Sequence, residues 1–117
     1  MSRVATIFHN AAVDDEGRQL GVFGYQPGQP MALVFRAGLP DSLTGAKALE
    51  SLFEEFNIGD DRPAGGAYRT VYGLRSLSVG DIVELDGTYY ACGSCGWSQQ
   101  PEPLVAVRSH PRVWPLS

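Results

Sequence analysis

One segment, residues 42–57 (SLTGAKALESLFEEFN), most constrains how this chain can fold. Its apolar residues recur at the helical period of about 3.6, so they share one face of a helix, while the charged residues fall elsewhere. The apolar face comprises Leu49, Leu52, Phe53 and Phe56. The charged residues are Lys47, Glu50, Glu54 and Glu55. The pattern predicts an amphipathic helix with its apolar face on the core and its acidic face in water, capped at its start by Ser42 or Thr44.

The remainder of the chain carries the signals of strands and tight turns. Residues rich in β-branched and aromatic side chains predict strands at 3–9, 20–26 and 31–37, the second one twisted or bulged around its glycines. Asp86-Gly87 lies between the alternating stretches DIVEL and TYYAC, which predicts a hairpin with a two-residue turn. A last strand is predicted within 102–109, and a proline-broken tail follows, with Trp114 laid over the edge of the core.

A single helix among many strands predicts one α+β domain over residues 1–117, with a mainly antiparallel sheet and one principal amphipathic helix. The sheet could form a partly closed barrel. A chain of 117 residues buries a core without metal or disulfide support, so the fold requires no cofactor. The polar stretch 10–19 and the segment 58–66 are predicted to be loops, the second of them mobile.

Charge and hydropathy limit the classes of partner that the chain is expected to bind. The formal net charge is −4 and the isoelectric point is about 5.0, so the chain has no overall field that attracts phosphate or an anionic membrane. A nucleic-acid partner is therefore disfavoured. The first ten residues do not resemble a signal peptide, and no segment has the roughly 18 apolar residues of a membrane helix. These features predict a cytoplasmic protein.

Two cysteines, Cys92 and Cys95, have the C-x-x-C spacing of half a zinc site. The other ligands would have to be His9 and His110 or come from a second chain, and neither arrangement is indicated by spacing. A redox pair needs its first cysteine at a helix N-terminus, whereas Cys92 follows strand-like residues. The favoured interpretation is structural, with Cys92 as a small buried apolar side chain and 93–96 as a turn. No metal is predicted.

Known catalytic patterns are missing from the sequence. It contains no G-x-S-x-G, no phosphate-binding G-x-x-x-x-G-K, no H-E-x-x-H and no dinucleotide fingerprint after its first strand. We therefore expect a protein that is not an enzyme and has no catalytic residues.

The segment GLRSLSVGDIVEL contains polar residues that core packing alone does not account for. Gly80 can take a positive φ in a turn before a strand, and the Asp81 carboxylate can accept hydrogen bonds from amides across the bend. Arg75 is open to two interpretations: a surface arginine, or a binding residue or structural clamp. The candidate binding residues are Arg75, Ser76, Ser78 and Asp81.

The stretch RSLSVGDIVELDGTYYACGSCGW, with LFEEFNIGD and YRTVYGL upstream, resembles small uncharacterised proteins of actinobacterial phages and mobile elements. In those proteins a pattern close to F-x-x-F-N-x-G-D precedes a tyrosine-arginine segment, R-S-L-S-V-G-D-V-V and a closing G-W. The stretch is also similar to the YodL-like domain, whose core reads R-S-x-S-V-x-D-V. The resemblance covers about residues 49–97. It implies an accessory role on a mobile element and brings no catalytic residues.

The leading hypothesis is a small accessory protein that binds a host protein through a surface patch. One alternative is a nucleic-acid-binding barrel, because a G-D turn before a strand is similar to that of PUA and ASCH domains, although their basic surface is missing here. The other alternative is a zinc or redox module at Cys92 and Cys95. The three differ in partner: a host protein, RNA or DNA, and a metal or redox equivalent.

Overall fold

The computed structural model describes residues 3–57 and 63–116, which form a seven-stranded sheet and helices on one side of it. The strands are β1 (Arg3–Asn10), β2 (Pro30–Leu39), β3 (Ile82–Leu85), β4 (Thr88–Gly93), β5 (Gly96–Gln100), β6 (Leu104–Arg108) and β7 (Val113–Pro115). The helices are α1 (Gly45–Asn57) and α2 (Pro63–Gly66), the latter continued by a π-helical turn (Ala67–Val71), and a 3-10 turn lies at Leu20–Phe23.

The strand order is β5-β4-β3-β1-β2-β6, and β7 also pairs with β2. Neighbouring strands are antiparallel, except that β6 and β7 run parallel to β2. The prediction of a single α+β domain with a mainly antiparallel sheet and one principal helix is therefore confirmed.

A bulge in β2 divides the core between the two faces of the sheet. Ile7 pairs with Phe35 but Phe8 pairs with Leu33, so Val34 has no partner in β1. An extra residue shifts the two-residue alternation of side chains. As a result Phe35 packs in the main cluster under α1, whereas Met31 packs in a second, smaller cluster.

The main cluster is organised around the ring of Phe35. Its centroid lies 5.3 Å from that of Phe56, 5.3 Å from that of Tyr68 and 5.5 Å from that of Tyr72. Phe56 is fully buried on α1, as its helical position predicts, and Leu49 and Leu52 are buried beside it. The amphipathic helix is thus confirmed, and these ring contacts fix α1 against the sheet.

One residue of the predicted acidic face is an exception. Glu55 is fully buried, and its carboxylate accepts a hydrogen bond of 2.8 Å from the N–H of Gly65. The expectation that Glu55 faces water was wrong, because α2 packs across this part of α1.

The sheet curls without closing. Residues 101–103 are all that joins β5 to β6, and four Cα steps reach at most about 15 Å. In a flat sheet, five strand spacings would put these edge strands about 24 Å apart. The linker crosses the face of the second cluster, where the Tyr89 hydroxyl donates to Glu102 at 3.3 Å. Because β5 and β6 do not pair, the sheet is not a closed barrel.

The strand predicted at 20–26 is absent, and the segment from residue 67, whose composition indicates strands and tight turns, begins with a helical turn instead. Residues 20–23 form a 3-10 turn, because Gly21 is buried against another loop and Gly24, at φ +98°, turns the chain away. Residues 67–71, which alternate like a strand, form the π-helical turn that buries Tyr68. In both places tertiary contact outweighs the local pattern.

The loop predicted at 58–66 is corrected in part. Residues 58–62 lie outside the described residues, and Pro63–Gly66 is helical. Proline at the first position of a helix supplies a suitable φ and loses no hydrogen bond, which explains why α2 begins at Pro63.

The hairpin and the position of Trp114 agree with the sequence, whereas the tail was not predicted to form the strand β7, which pairs with β2. Asp86 has φ +52° and Gly87 has φ +83°, the positive values that the turn between β3 and β4 requires. Trp114 packs against the main cluster, and its indole N–H donates to the Tyr72 hydroxyl at 3.2 Å.

No helix in the described part of the chain has the length and apolar character needed to cross a membrane.

Candidate functional site

Asp81 is the centre of the predicted site, and its carboxylate is fully buried. It accepts hydrogen bonds from both terminal nitrogens of Arg75, at 2.7 and 2.8 Å. It also accepts the backbone N–H of Asn10 at 2.9 Å and that of Ser78 at 2.8 Å. A bidentate guanidinium and two amides satisfy a buried carboxylate well. Of the two interpretations of Arg75, the geometry supports the clamp, although its side chain is 35% exposed.

The loop 75–81, which we call the motif loop, is held from both sides. The N–H of Gly80 donates to the carbonyl of Cys92 at 2.9 Å, and the N–H of Cys92 donates to that of Asp81 at 2.8 Å. At the other end, the N–H of Leu77 donates to the carbonyl of Phe56 at 3.0 Å. The loop therefore links the end of α1 to β4 and starts β3 in register.

The four predicted residues separate into two groups. Arg75, Ser78 and Asp81 come together around the buried carboxylate. Ser76 points toward the end of α1, where its hydroxyl donates weakly to the carbonyl of Asn57 at 3.4 Å. These contacts are internal, so the polar character of the motif loop is accounted for by folding.

Sequence reasoning missed Asn10, which connects three parts of the chain. Its side-chain amide donates to Gln29 at 2.9 Å and to the carbonyl of Gly80 at 3.1 Å. Its side-chain oxygen accepts the N–H of Ala12 at 2.9 Å. A single asparagine at the end of a strand gives no local signal of such a role, because its partners lie far along the chain.

A second internal contact joins His9 to Tyr68. The Nε2 atom of His9 lies 2.5 Å from the Tyr68 hydroxyl, and both side chains are buried. Burial lowers the pKa of His9 to about 4, outweighing the nearby Asp81 carboxylate, which acts to raise it. Burial also raises the pKa of Tyr68. The pair is neutral near pH 7 and supports the core.

The connection between β1 and β2, residues 11–29, is much longer than pairing requires, and we call it the excursion. Two neighbouring antiparallel strands need only a two-residue turn, and connections above about 12–15 residues usually have a function. The excursion is tied down: Ala11 donates to the carbonyl of Pro30 at 2.9 Å and Leu20 to that of Ala12 at 3.0 Å. It is an ordered structure built outside the sheet.

Two glycines anchor the excursion to the motif loop. A Cβ atom added to Gly80 would lie 2.2 Å from the carbonyl oxygen of Gly21, so the two backbones touch. Gly80 also has φ +92°, a value that glycine adopts without strain. The 3-10 turn, which contains Gly21, is therefore held against the motif loop.

The anchored 3-10 turn directs two apolar side chains into solvent. Phe23 is 83% exposed and Val22 is 64% exposed. A cavity of about 130 Å³ separates this turn from the motif loop and is bordered by Val22, Arg75 and Ser78. Two of the predicted binding residues thus border a surface whose most exposed apolar group is Phe23.

The two cysteines lie in different environments. Cys92 is buried in β4, and Cys95 is exposed in the turn before β5. Burial raises the pKa of the Cys92 thiol to about 11, the opposite of the lowered value that a reactive thiolate needs. Within residues 3–57 and 63–116, no three His, Cys, Asp or Glu side chains are grouped as metal ligands. The expectation that Cys92 is a buried side chain is confirmed.

Comparison of this chain with protein-family models, with curated proteins and with solved structures finds no match.

Proposed function

We propose that this chain is a non-enzymatic accessory protein that acts in the cytoplasm by binding a host protein through the excursion. The accessory role on a mobile element that the R-S-L-S-V-G-D resemblance implies supports this proposal. It places the contact at Val22 and Phe23, with Arg75 and Ser78 at its border, and gives Asp81 and Ser76 a supporting part.

The observation that carries the proposal is the exposure of Phe23 on an anchored turn. Burying a phenylalanine side chain in a partner's pocket stabilises a complex by about 1.5–3 kcal/mol. An ordered backbone adds to this gain, because little conformational entropy is lost on binding. Aromatic anchors of this kind are common at the energetic centres of protein interfaces.

The motif loop suits a positioning role better than direct contact. The Arg75 guanidinium and the Asp81 carboxylate bond each other at 2.7 and 2.8 Å, so neither charge is free for a partner. Separating the two would leave the fully buried Asp81 carboxylate without a counter-charge, which costs more than the roughly 0–1 kcal/mol that a surface ion pair contributes. The same pairing disfavours nucleic-acid binding through Arg75, since its positive charge is neutralised within the fold.

The test compares capture of host proteins by the wild type and by two matched variants. Phe23→Ser removes the proposed anchor, and Val71→Ser removes a 66% exposed side chain on the π-helical turn instead. We expect quantitative mass spectrometry to find a host protein bound by the wild type and by Val71→Ser but lost with Phe23→Ser. Equal capture by all three proteins would show that the excursion is not the contact.

A further inference from the structure

We propose, on the basis of the function proposed above, that the partner is a basic protein whose apolar pocket for Phe23 is rimmed by lysine or arginine side chains. The reason lies in the charged loop next to the exposed 3-10 turn. Residues 14–18, which we call the acidic loop, carry three carboxylates and one guanidinium, leaving two negative charges.

The acidic loop, like the turn beside it, is held by internal hydrogen bonds. The carboxylate of Asp14 accepts the backbone N–H of Glu16 and that of Arg18, each at 2.9 Å, and the Arg18 Nε–H at 2.8 Å. A bridge between Val13 and Gln19 closes the loop at its base. The positions of its charges relative to Phe23 are therefore set by the fold.

The acidic loop and the apolar turn form one continuous surface. A cavity of about 290 Å³ is lined by Asp14 and Arg18 on one side and by Leu20, Val22 and Phe23 on the other. Any partner that encloses Phe23 must therefore pass close to the acidic loop.

The field at this surface is negative. Asp15 and Glu16 are exposed, while the guanidinium of Arg18 is paired with Asp14 at 2.8 Å and lies 3.5 Å from Glu16. Arg75, which borders the adjoining cavity beside Val22, is paired with Asp81 at 2.7 Å. With a net charge of −4 for the whole chain, this face attracts basic surfaces and repels acidic ones.

The experiment uses a random-peptide display library as the probe, selected on the full chain and counter-selected on Phe23→Ser. We expect the enriched peptides to place an aromatic or aliphatic residue between lysines or arginines. Their affinity should fall about tenfold between roughly 50 and 500 mM NaCl, because salt screens charges at this range.

Charge reversal provides the matched control. Glu16→Lys and Glu50→Lys change the net charge equally, but Glu50 lies on α1, away from the acidic loop. We expect Glu16→Lys to lower the association rate of the selected peptides about tenfold at low salt, and Glu50→Lys by less than about twofold.

Each other outcome has a definite meaning. Peptides that need Phe23 but are acidic or insensitive to salt would overturn the basic partner and leave the proposed function standing. If no peptide distinguishes the wild type from Phe23→Ser, both proposals fail. Sedimentation that shows wild-type oligomers dissolved by Phe23→Ser would identify a second copy of the chain as the occupant and overturn the basic partner.

Discussion

The motif loop and the excursion lie against each other, yet their side chains are used in opposite ways. The motif loop is polar, and its charged groups are turned inward, where the Asp81 carboxylate accepts four hydrogen bonds. The excursion buries little, and its 3-10 turn holds Val22 and Phe23 outward.

The contrast shows that a polar motif is not by itself evidence of a binding site. Buried polar groups must be satisfied within the fold, and a loop that does so requires particular residues for folding alone. Exposed apolar side chains on an ordered backbone have no such internal reason. A recurring R-S-L-S-V-G-D motif would on this view identify the fold, whereas the excursion would differ with the partner.

Removal of the Asp81 carboxylate should have the largest effect. Asp81→Asn leaves the Arg75 guanidinium partly buried without a counter-charge, and the unpaired charge costs about 3–5 kcal/mol. Urea unfolding followed by circular dichroism measures the change. The control is Asp15→Asn on the exposed acidic loop, for which we expect a change within about 0.5 kcal/mol. Equal effects of both variants would contradict the clamp.

The contact between the two loops can be broken at Gly80. A Cβ at this position would meet the Gly21 carbonyl at 2.2 Å, so Gly80→Ala should destabilise the protein by about 3 kcal/mol, from overpacking and positive φ together. Gly17→Ala is the control, because Gly17 has φ +80° but open space around it, and should cost only about 1 kcal/mol. Hydrogen exchange at 20–24 should increase in Gly80→Ala alone.

Lowering the pH should destabilise the protein through protonation of the buried His9. The pKa of His9 in the folded protein, about 4, lies below the ordinary histidine value of 6.5. The unfolded chain therefore binds the proton more readily, and stability falls as pH drops between these values. The expected loss from about pH 7 to about pH 5 is on the order of 2 kcal/mol. The difference in unfolding free energy between wild type and His9→Gln should change by this amount over that range. A constant difference would show that His9 does not titrate in this way.

Loss of Phe23 should have the smallest effect on folding. The side chain is 83% exposed, so Phe23→Ser should change the free energy of unfolding by no more than about 0.5 kcal/mol. Thermal unfolding of Phe23→Ser, with Val71→Ser as the control, measures this change in stability. A loss above about 1 kcal/mol would mean that Phe23 packs on the protein itself, and the contrast between the two loops would then disappear.

Part of the candidate site could be predicted from sequence. Gly80 and Asp81 could be predicted as turn residues, because positive φ and bonds from amides across a bend are local properties. The partners of Asp81 could not be predicted, since Asn10 is far along the chain and reaches it only through the pairing of β1 with β3. The 3-10 turn was wrongly predicted to be a strand. The contact of Gly21 with the motif loop, which fixes the turn, exists only in the folded protein and leaves no local signal.

The sequence by itself determined the elements whose signals are contiguous: the helix from its apolar period, the β3–β4 hairpin from Asp86-Gly87, and the α+β class from their combination. Tertiary structure decided which face each part of β2 presents, because a bulge at Val34 shifts the alternation. It also decided that Arg75 is a clamp and that Phe23 is exposed. Both depend on contact between the motif loop and the excursion, and no local pattern encodes a contact between segments so far apart.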